Sequence, residues 1–342
     1  MRLRRFVLPW GLAVLAGCQL HGPVPSVSTP VRVAAQATSD GTGYGALDAV
    51  SETNLRNAVW GMVNTHKQSP QTTIDTPYGV RQHSSIANYV AQAFKNATGQ
   101  TPVKEDFVQN GYAGTNVYVD IPGSTEPNQV ILVSAHHDTW WYSADDDTSA
   151  IAAMFEAARI LATRKPEKTV RFLAFDGEEL GDLGAQAFID RHESDSLDYL
   201  VDVNMEGMAF CSSTPDSQQQ LSGMSVPNTA NFMLAASNDA AGAYLADFAK
   251  AAGALPPPYQ LVTQSFSGAP STWPTQDLRR SDQDLFWQMG FPAVFLTDTL
   301  PFRNPNYHTP TDTPMTLDFA FMRQATQTLV GGLALISGAQ LQ

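Results

Sequence analysis

Five short clusters of histidine and carboxylate residues carry the chemistry open to this chain. In order they are AHHD (135–138), ADDD (144–147), the paired acids Glu178-Glu179, VNMEG (203–207) and YHTPTD (307–312). Each lies at the end of an apolar run or just beyond it. Histidines and carboxylates arriving from separate strand ends are the ingredients of a catalytic zinc site. His136 and Asp138 are two apart after a strand, so an extended backbone points both to one side, with His137 opposite. One of that pair can bind a metal while the other orients or supports it. Asp145, Asp146 and Asp147 precede a helix beginning at Thr148. Asp147 suits the N-cap. Three consecutive acids exceed what a cap needs, and a carboxylate bridging two cations would explain them. Glu178 and Glu179 follow the apolar strand VRFLAF (170–175) and would repel each other unless cations held them. One can ligate the metal while its neighbour takes a proton from water. His21, His66, His83 and His192 stand alone in the sequence and read as structural or surface histidines.

Regular elements must bring these clusters together. Apolar spacing predicts helices over 46–66, with Leu55, Val59, Met62 and Val63 inward, and from Ser84 or Ser85 as cap to Gly99. Strands are expected at 103–108, 116–121, 130–135, 170–175, 199–205 and 292–297. Helices are expected at 148–163, 183–192, about 230–252, after Ser281, and from about 316. Residues 208–280 carry weak signals and are expected as loops over the site. Alternating strands and helices with near-continuous apolar strands give an α/β class, here an α/β sandwich. A single domain is expected over 46–342, following a Pro/Ser/Thr/Gly-rich tether over 19–45.

The N-terminus reads differently. Arg2, Arg4 and Arg5 precede an apolar core from Phe6 to Ala16, too short to span a membrane. The stretch ends in Leu15-Ala16-Gly17-Cys18, which resembles the bacterial lipobox with Cys18 as the lipidated first residue of the mature protein. An exported, lipid-anchored protein of the cell envelope is therefore expected. Processing there would leave 17 basic against 33 acidic residues, disfavouring nucleic acid or an anionic membrane surface as partner. Cys211 would be the one unlipidated cysteine, so neither an intrachain disulfide nor a cysteine zinc site is expected.

The clusters in order, with ADDDTSAIAAMFEAARIL (144–161), SDQDLFWQMGFPAVFLTDT (281–299) and NVYVDIPG (116–123), resemble the co-catalytic di-zinc aminopeptidase family, metallopeptidase family twenty-eight. The resemblance implies a three-layer α/β/α sandwich around a mixed, mostly parallel sheet. It implies two Zn2+ ions and peptide substrates with a free N-terminus. His136 would ligate one zinc, Asp145 would bridge both, and Glu179 and His308 would ligate the other. Glu178 would be the general base and acid, and Asp138 would orient His136. The family often has a cis peptide after the bridging Asp, here between Asp145 and Asp146.

Two positions depart from the family pattern. The usual Asn-x-Asp-Met reads Asn204-Met205-Glu206-Gly207, which puts Glu206 at the remaining ligand if Asn204 matches the family's Asn. Gln283 stands where a histidine is common. Tyr307 could stabilise an oxyanion or simply pack, and Trp140 and Trp141 could line the pocket or belong to the core. The rivals are a one-zinc glutaminyl cyclase of the same fold, a carboxypeptidase using Arg279, Arg280 or Arg303, and a receptor-like protein without metals.

Overall fold

The computed structural model describes residues 32–33, 45–257 and 259–340. Cys18, the rest of the lipobox and most of the expected tether lie outside them. The strands are β1 (Arg32–Val33), β2 (Thr72–Thr76), β3 (Gly79–Ser84), β4 (Val103–Gln109), β5 (Tyr112–Ile121), β6 (Glu126–His136), β7 (Thr139–Trp140), β8 (Lys168–Phe175), β9 (Asp198–Glu206), β10 (Met233–Asn238), β11 (Leu261–Phe266) and β12 (Ala293–Thr297). The helices are α1 (Gly45–Asp48), α2 (Glu52–Gln68), α3 (Ala87–Thr98), α4 (Thr148–Leu161), α5 (Leu183–His192), α6 (Gly242–Gly253), α7 (Gln283–Gln288) and α8 (Phe319–Ser337).

Nine strands form one mixed sheet in the order β1-β11-β10-β12-β9-β6-β8-β5-β4. Its centre, β12-β9-β6-β8, is parallel throughout. Alternate residues of β6 feed two cores: Ile131, Val133 and Ala135 face one, Val130 and Leu132 the other. That double burial is why the strand is apolar without alternation. Helices α2, α3, α4, α6 and α8 cover the first face, while α5, α7 and loop segments cover the second, completing three layers. Within the segment expected as a tether, Arg32 and Val33 pair antiparallel with β11.

Parallel strands end on the same side, and β6, β8 and β9 are neighbours. His136 is the last residue of β6 and Glu206 the last of β9. Past β8, Gly177 turns the chain with φ 81°, a conformation that favours glycine, and delivers Glu178 and Glu179. A second, small sheet, β2-β3-β7, lies beside this end and pairs His83 with Trp140.

Several local expectations are corrected. The expected 230–252 helix is a strand, β10, followed by α6, because a short, fully buried apolar run has no period to distinguish the two. The 208–280 region holds β10 and β11 as well as loops. Ile86, not a serine, occupies the α3 N-cap; Ser84 faces His66 and Ser85 donates to Asp176. Asp147 occupies the α4 cap position, but its carboxylate accepts from the amides of His136 and Gly207 instead of capping.

Candidate metal centre

Two groups of side chains converge at the shared strand end: His136, Glu178 and Glu206, and beside them Asp146, Glu179 and His308. His136 Nε2 lies 3.4 Å from Asp146 Oδ1, 3.6 Å from Glu206 Oε1 and 3.7 Å from Glu178 Oε2. His308 Nε2 lies 2.9 Å from Asp146 Oδ2 and 3.1 Å from Glu179 Oε2. Asp146 thus turns one oxygen to each histidine and stands between the groups.

The residue expected in that place was Asp145, and the structure moves the role by one. Asp145 accepts from Asn304, Ser149 and the Ala209 amide, which turns its carboxylate into the protein. The cis peptide is correspondingly between Asp146 and Asp147. Sequence alone could not choose among three adjacent aspartates. The backbone is held by Asp312, whose carboxylate accepts from the amides of Asp145 and Asp146.

Glu206 reaches the centre and Asn204 does not. Asn204 donates to Ser134 within the sheet, whereas Glu206 accepts a short hydrogen bond from Ser281. Asp138 is corrected in part: its backbone carbonyl, not its carboxylate, lies 2.9 Å from His136 Nδ1. The Asp138 carboxylate, 3.6 Å from the same nitrogen, instead holds the amides of Glu178 and Glu179 and the ring of His83. His83, dismissed as an isolated histidine, therefore belongs to the site. Its signal was tertiary, since nothing in the sequence links it to Asp138. His66 and His137 stay structural, facing Ser84 and the Thr115 carbonyl.

Tyr307 stacks on His308 with ring centroids 3.8 Å apart. It lines a cavity beside Glu206 with Leu278, Arg280, Leu300 and Phe302. Burial and the carboxylates of Asp146, Glu179 and Glu206 push its hydroxyl well above the usual range, so it remains a donor. Trp140 is buried and sets its edge against His308 and His83. Gln283 donates to the Leu278 carbonyl, outside the centre.

The donor set fits a cation. His136 Nε2, both Asp146 oxygens and Glu179 Oε1 are buried without a hydrogen-bond partner in the protein. Leaving such atoms unsatisfied is costly. A cation among them removes that cost, and mixed imidazole and carboxylate donors suit zinc. The electrostatics agree. Burial alone would lower the pKa of His136, but Glu178 and Glu206 hold it well above its ordinary value. Burial, with like charges around it, raises Glu178 well above the carboxylate range and Glu179 to about 7. Asp146 moves the other way, because His136 and His308 outweigh its burial. Acids and histidines that perturb one another this strongly mark a functional site. His308 itself sits at φ 54°, an uncommon backbone state for a residue with a side chain.

Known proteins place the chain independently. It is 27% identical over 256 residues to "Uncharacterized protein YfbL" of Escherichia coli (strain K12), covering 67% of this chain and 76% of that one. It is 26% identical over 214 residues to a "Probable zinc metalloprotease" of Pyrenophora teres f. teres, covering 55% of this chain. The match spans less than half of the fungal protein, 44%. Among solved structures, the Legionella pneumophila LapA aminopeptidase superposes with a TM-score of 0.63 at 18% identity, covering 86% of this chain and 74% of that one; this likeness establishes the fold. The profile described as "Peptidase family M28" matches residues 116–331, from β5 to the middle of α8 and so across all five clusters. With that span of sequence and this arrangement of His136, Asp146, Glu178, Glu179, Glu206 and His308, the chain belongs to peptidase family M28.

Proposed function

We propose that this protein is a zinc-dependent exopeptidase that removes N-terminal residues from peptides, holding two zinc ions around Asp146. The observation that carries the reading is Asp146 itself, a buried carboxylate with an oxygen toward each of two separate donor groups. His136 and Glu206 would complete one ion's ligands, and Glu179 and His308 the other's. Bound zinc supplies Lewis-acid polarisation of the scissile carbonyl and acidifies water near neutral pH.

The protein's own groups do the rest. Glu178 takes a proton from the attacking water and returns it to the leaving amine. Its backbone amide is tied to Asp138, which fixes where that carboxylate starts. The Asp138 carbonyl aligns His136, and Ser281 aligns Glu206. The Tyr307 hydroxyl, kept protonated, would donate to the negative charge that develops on the carbonyl oxygen. Acidic groups around the centre favour a substrate's free α-ammonium. Two donor groups sharing one carboxylate disfavour the one-zinc cyclase. Of the arginines a carboxypeptidase would use, Arg279 pairs with Asp284 and Arg303 is buried against Gln218, Thr299 and the Phe232 carbonyl, while Arg280 lines the cavity beside Glu206 and Tyr307.

Hydrolysis of aminoacyl arylamides, with N-acetylated controls, tests this reading. Free-amine substrates should be cleaved and N-acetylated ones spared; equal cleavage of both would overturn it. The proposal extends to location: Cys18 anchors the exported chain to a bacterial membrane. One acyl chain binds only marginally, so the anchor would need the two or three chains such a cysteine carries. Cys18→Ala should release active, soluble enzyme, whereas wild-type protein with a mature N-terminus beyond residue 18 would reject the anchor.

A further inference from the structure

The walls of the centre are acidic, yet two guanidiniums lie against it: Arg280 lines the cavity beside Glu206, and Arg81 reaches the His308 side. Arg81 and His83 are two apart on β3, so their side chains leave the same face of the strand. His83 ends on Asp138, and Arg81 ends on His308 Nδ1 within hydrogen-bond distance. The guanidinium carbon lies 5.9, 5.4 and 5.9 Å from the ring centroids of Tyr78, Trp140 and Trp141. Among the described residues no carboxylate pairs with it. Arg159, Arg171 and Arg279 by contrast each take one, at 2.6, 2.8 and 2.6 Å. Arginine has five donors and no acceptor. A histidine that gives Nε2 to a cation keeps its proton on Nδ1, so His308 acting as a ligand no longer accepts from Arg81. That leaves a half-buried planar fork, framed by aromatic rings, one imidazole's width from Asp146 and Glu179. Such a fork matches a carboxylate through two parallel hydrogen bonds.

We propose that Arg81 receives the free α-carboxylate of the residue leaving on the C-terminal side of the cleaved bond, which makes dipeptides the preferred substrate class. The inference rests on the exopeptidase reading above. In a dipeptide the carboxylate follows the scissile nitrogen by a single Cα. A carbonyl held beside Asp146 therefore places that anion near the far edge of the His308 ring, where Arg81 sits. A longer peptide presents a neutral amide at the same point and forfeits the charge-assisted pair.

The test compares kcat/KM for a dipeptide, its C-terminal amide, the matching tripeptide and an aminoacyl arylamide. Wild-type enzyme should prefer the dipeptide over its amide by about 10- to 100-fold, the range for hydrogen bonds to charged groups. Arg81→Gln should collapse that ratio toward one, and Arg81→Lys should keep part of it. Calorimetry on zinc-loaded Glu178→Gln protein gives a readout without turnover, and it too should show tighter binding of the dipeptide than of the amide. Equal kcat/KM for dipeptide and amide in the wild type, or a ratio that survives Arg81→Gln, overturns the proposal. The wild-type comparison stands even if a variant fails to fold. If no free-amine substrate is cleaved, the arylamide included, the exopeptidase reading itself falls and takes this inference with it.

Discussion

His136 and His192 are both buried among carboxylates, and their surroundings end in opposite states. His192, at the end of α5, faces Asp195 with Nδ1 at 2.7 Å and Glu105 with Nε2 at 3.0 Å. Tyr199 donates to the same Asp195, and Arg171 joins Tyr199 to Asp120. Each of these groups has a protein partner. Around His136 the same residue types leave Nε2, both Asp146 oxygens and one Glu179 oxygen unpartnered. Buried polar atoms are nearly always satisfied in folded proteins. The first cluster obeys that rule with the protein's own atoms and is structural. The second leaves the rule to an ion. Composition does not distinguish a metal centre from a salt-bridge network here; the unfilled hydrogen-bond capacity does.

That contrast can be broken most severely at Asp146. Asp146→Asn should weaken both zinc sites and lower activity by more than the roughly 10- to 100-fold that losing a supporting partner costs. Asp145→Asn should keep its zinc. Burial, with Asp298 and Asp312 nearby, raises the pKa of Asp145, and its carboxylate is turned away from both histidines to accept from Asn304, Ser149 and the Ala209 amide. Metal content of the two variants checks this, and the reverse pattern would restore Asp145 as the bridge. Next in size is Glu178→Gln. It should retain zinc while turnover falls by about 10²- to 10⁴-fold, the scale of general acid–base catalysis; Glu179→Gln should instead lose metal. Then comes the unusual ligand. Glu206→Ala should bind one zinc weakly, and Asn204→Ala should titrate like wild type, because Asn204 faces Ser134. Normal stoichiometry in Glu206→Ala would remove Glu206 from the centre.

The smallest effect is expected at the closed cluster. Burial lowers the His192 pKa, but Glu105 and Asp195 more than offset it, so the folded value lies above 6.5. A pKa raised on folding contributes stability that is complete below the unfolded value and fades as pH rises through the folded one. His192→Gln should therefore cost about 1–3 kcal/mol, most below pH 6.5, with the gap to wild type narrowing in alkali. Denaturant unfolding across pH measures it. A gap that widens with pH would show that these hydrogen bonds do not favour the charged ring.

Legibility followed the same division. The parallel central strands and α4, α5 and α8 were readable because burial on one or both faces writes directly into apolar pattern. Leu55, Val59, Met62 and Val63 of α2 are all buried as spaced. β10 reads as helix because Met-Leu-Ala-Ala fits helix and buried strand alike, and the β2–β3 hairpin leaves no sequence signal because its strands are mostly exposed and polar. In the site, residues at strand ends were found from sequence: His136, Glu178, Glu179 and Glu206. The choice of Asp146 over Asp145 depends on which way a non-helical loop turns its side chains, and that is set by Asp312 from 166 residues away. His83 and Arg81 reach the centre only through the pairing of β3 with β7, a contact no local pattern announces.

On the proposed reading one buried carboxylate, Asp146, organises two ions. Zinc bound per folded chain, measured by elemental analysis after dialysis against limiting free metal, tests it most directly. The expectation is two equivalents in the wild type and loss of both in Asp146→Asn. A single equivalent in the wild type, or two retained in Asp146→Asn, would contradict it.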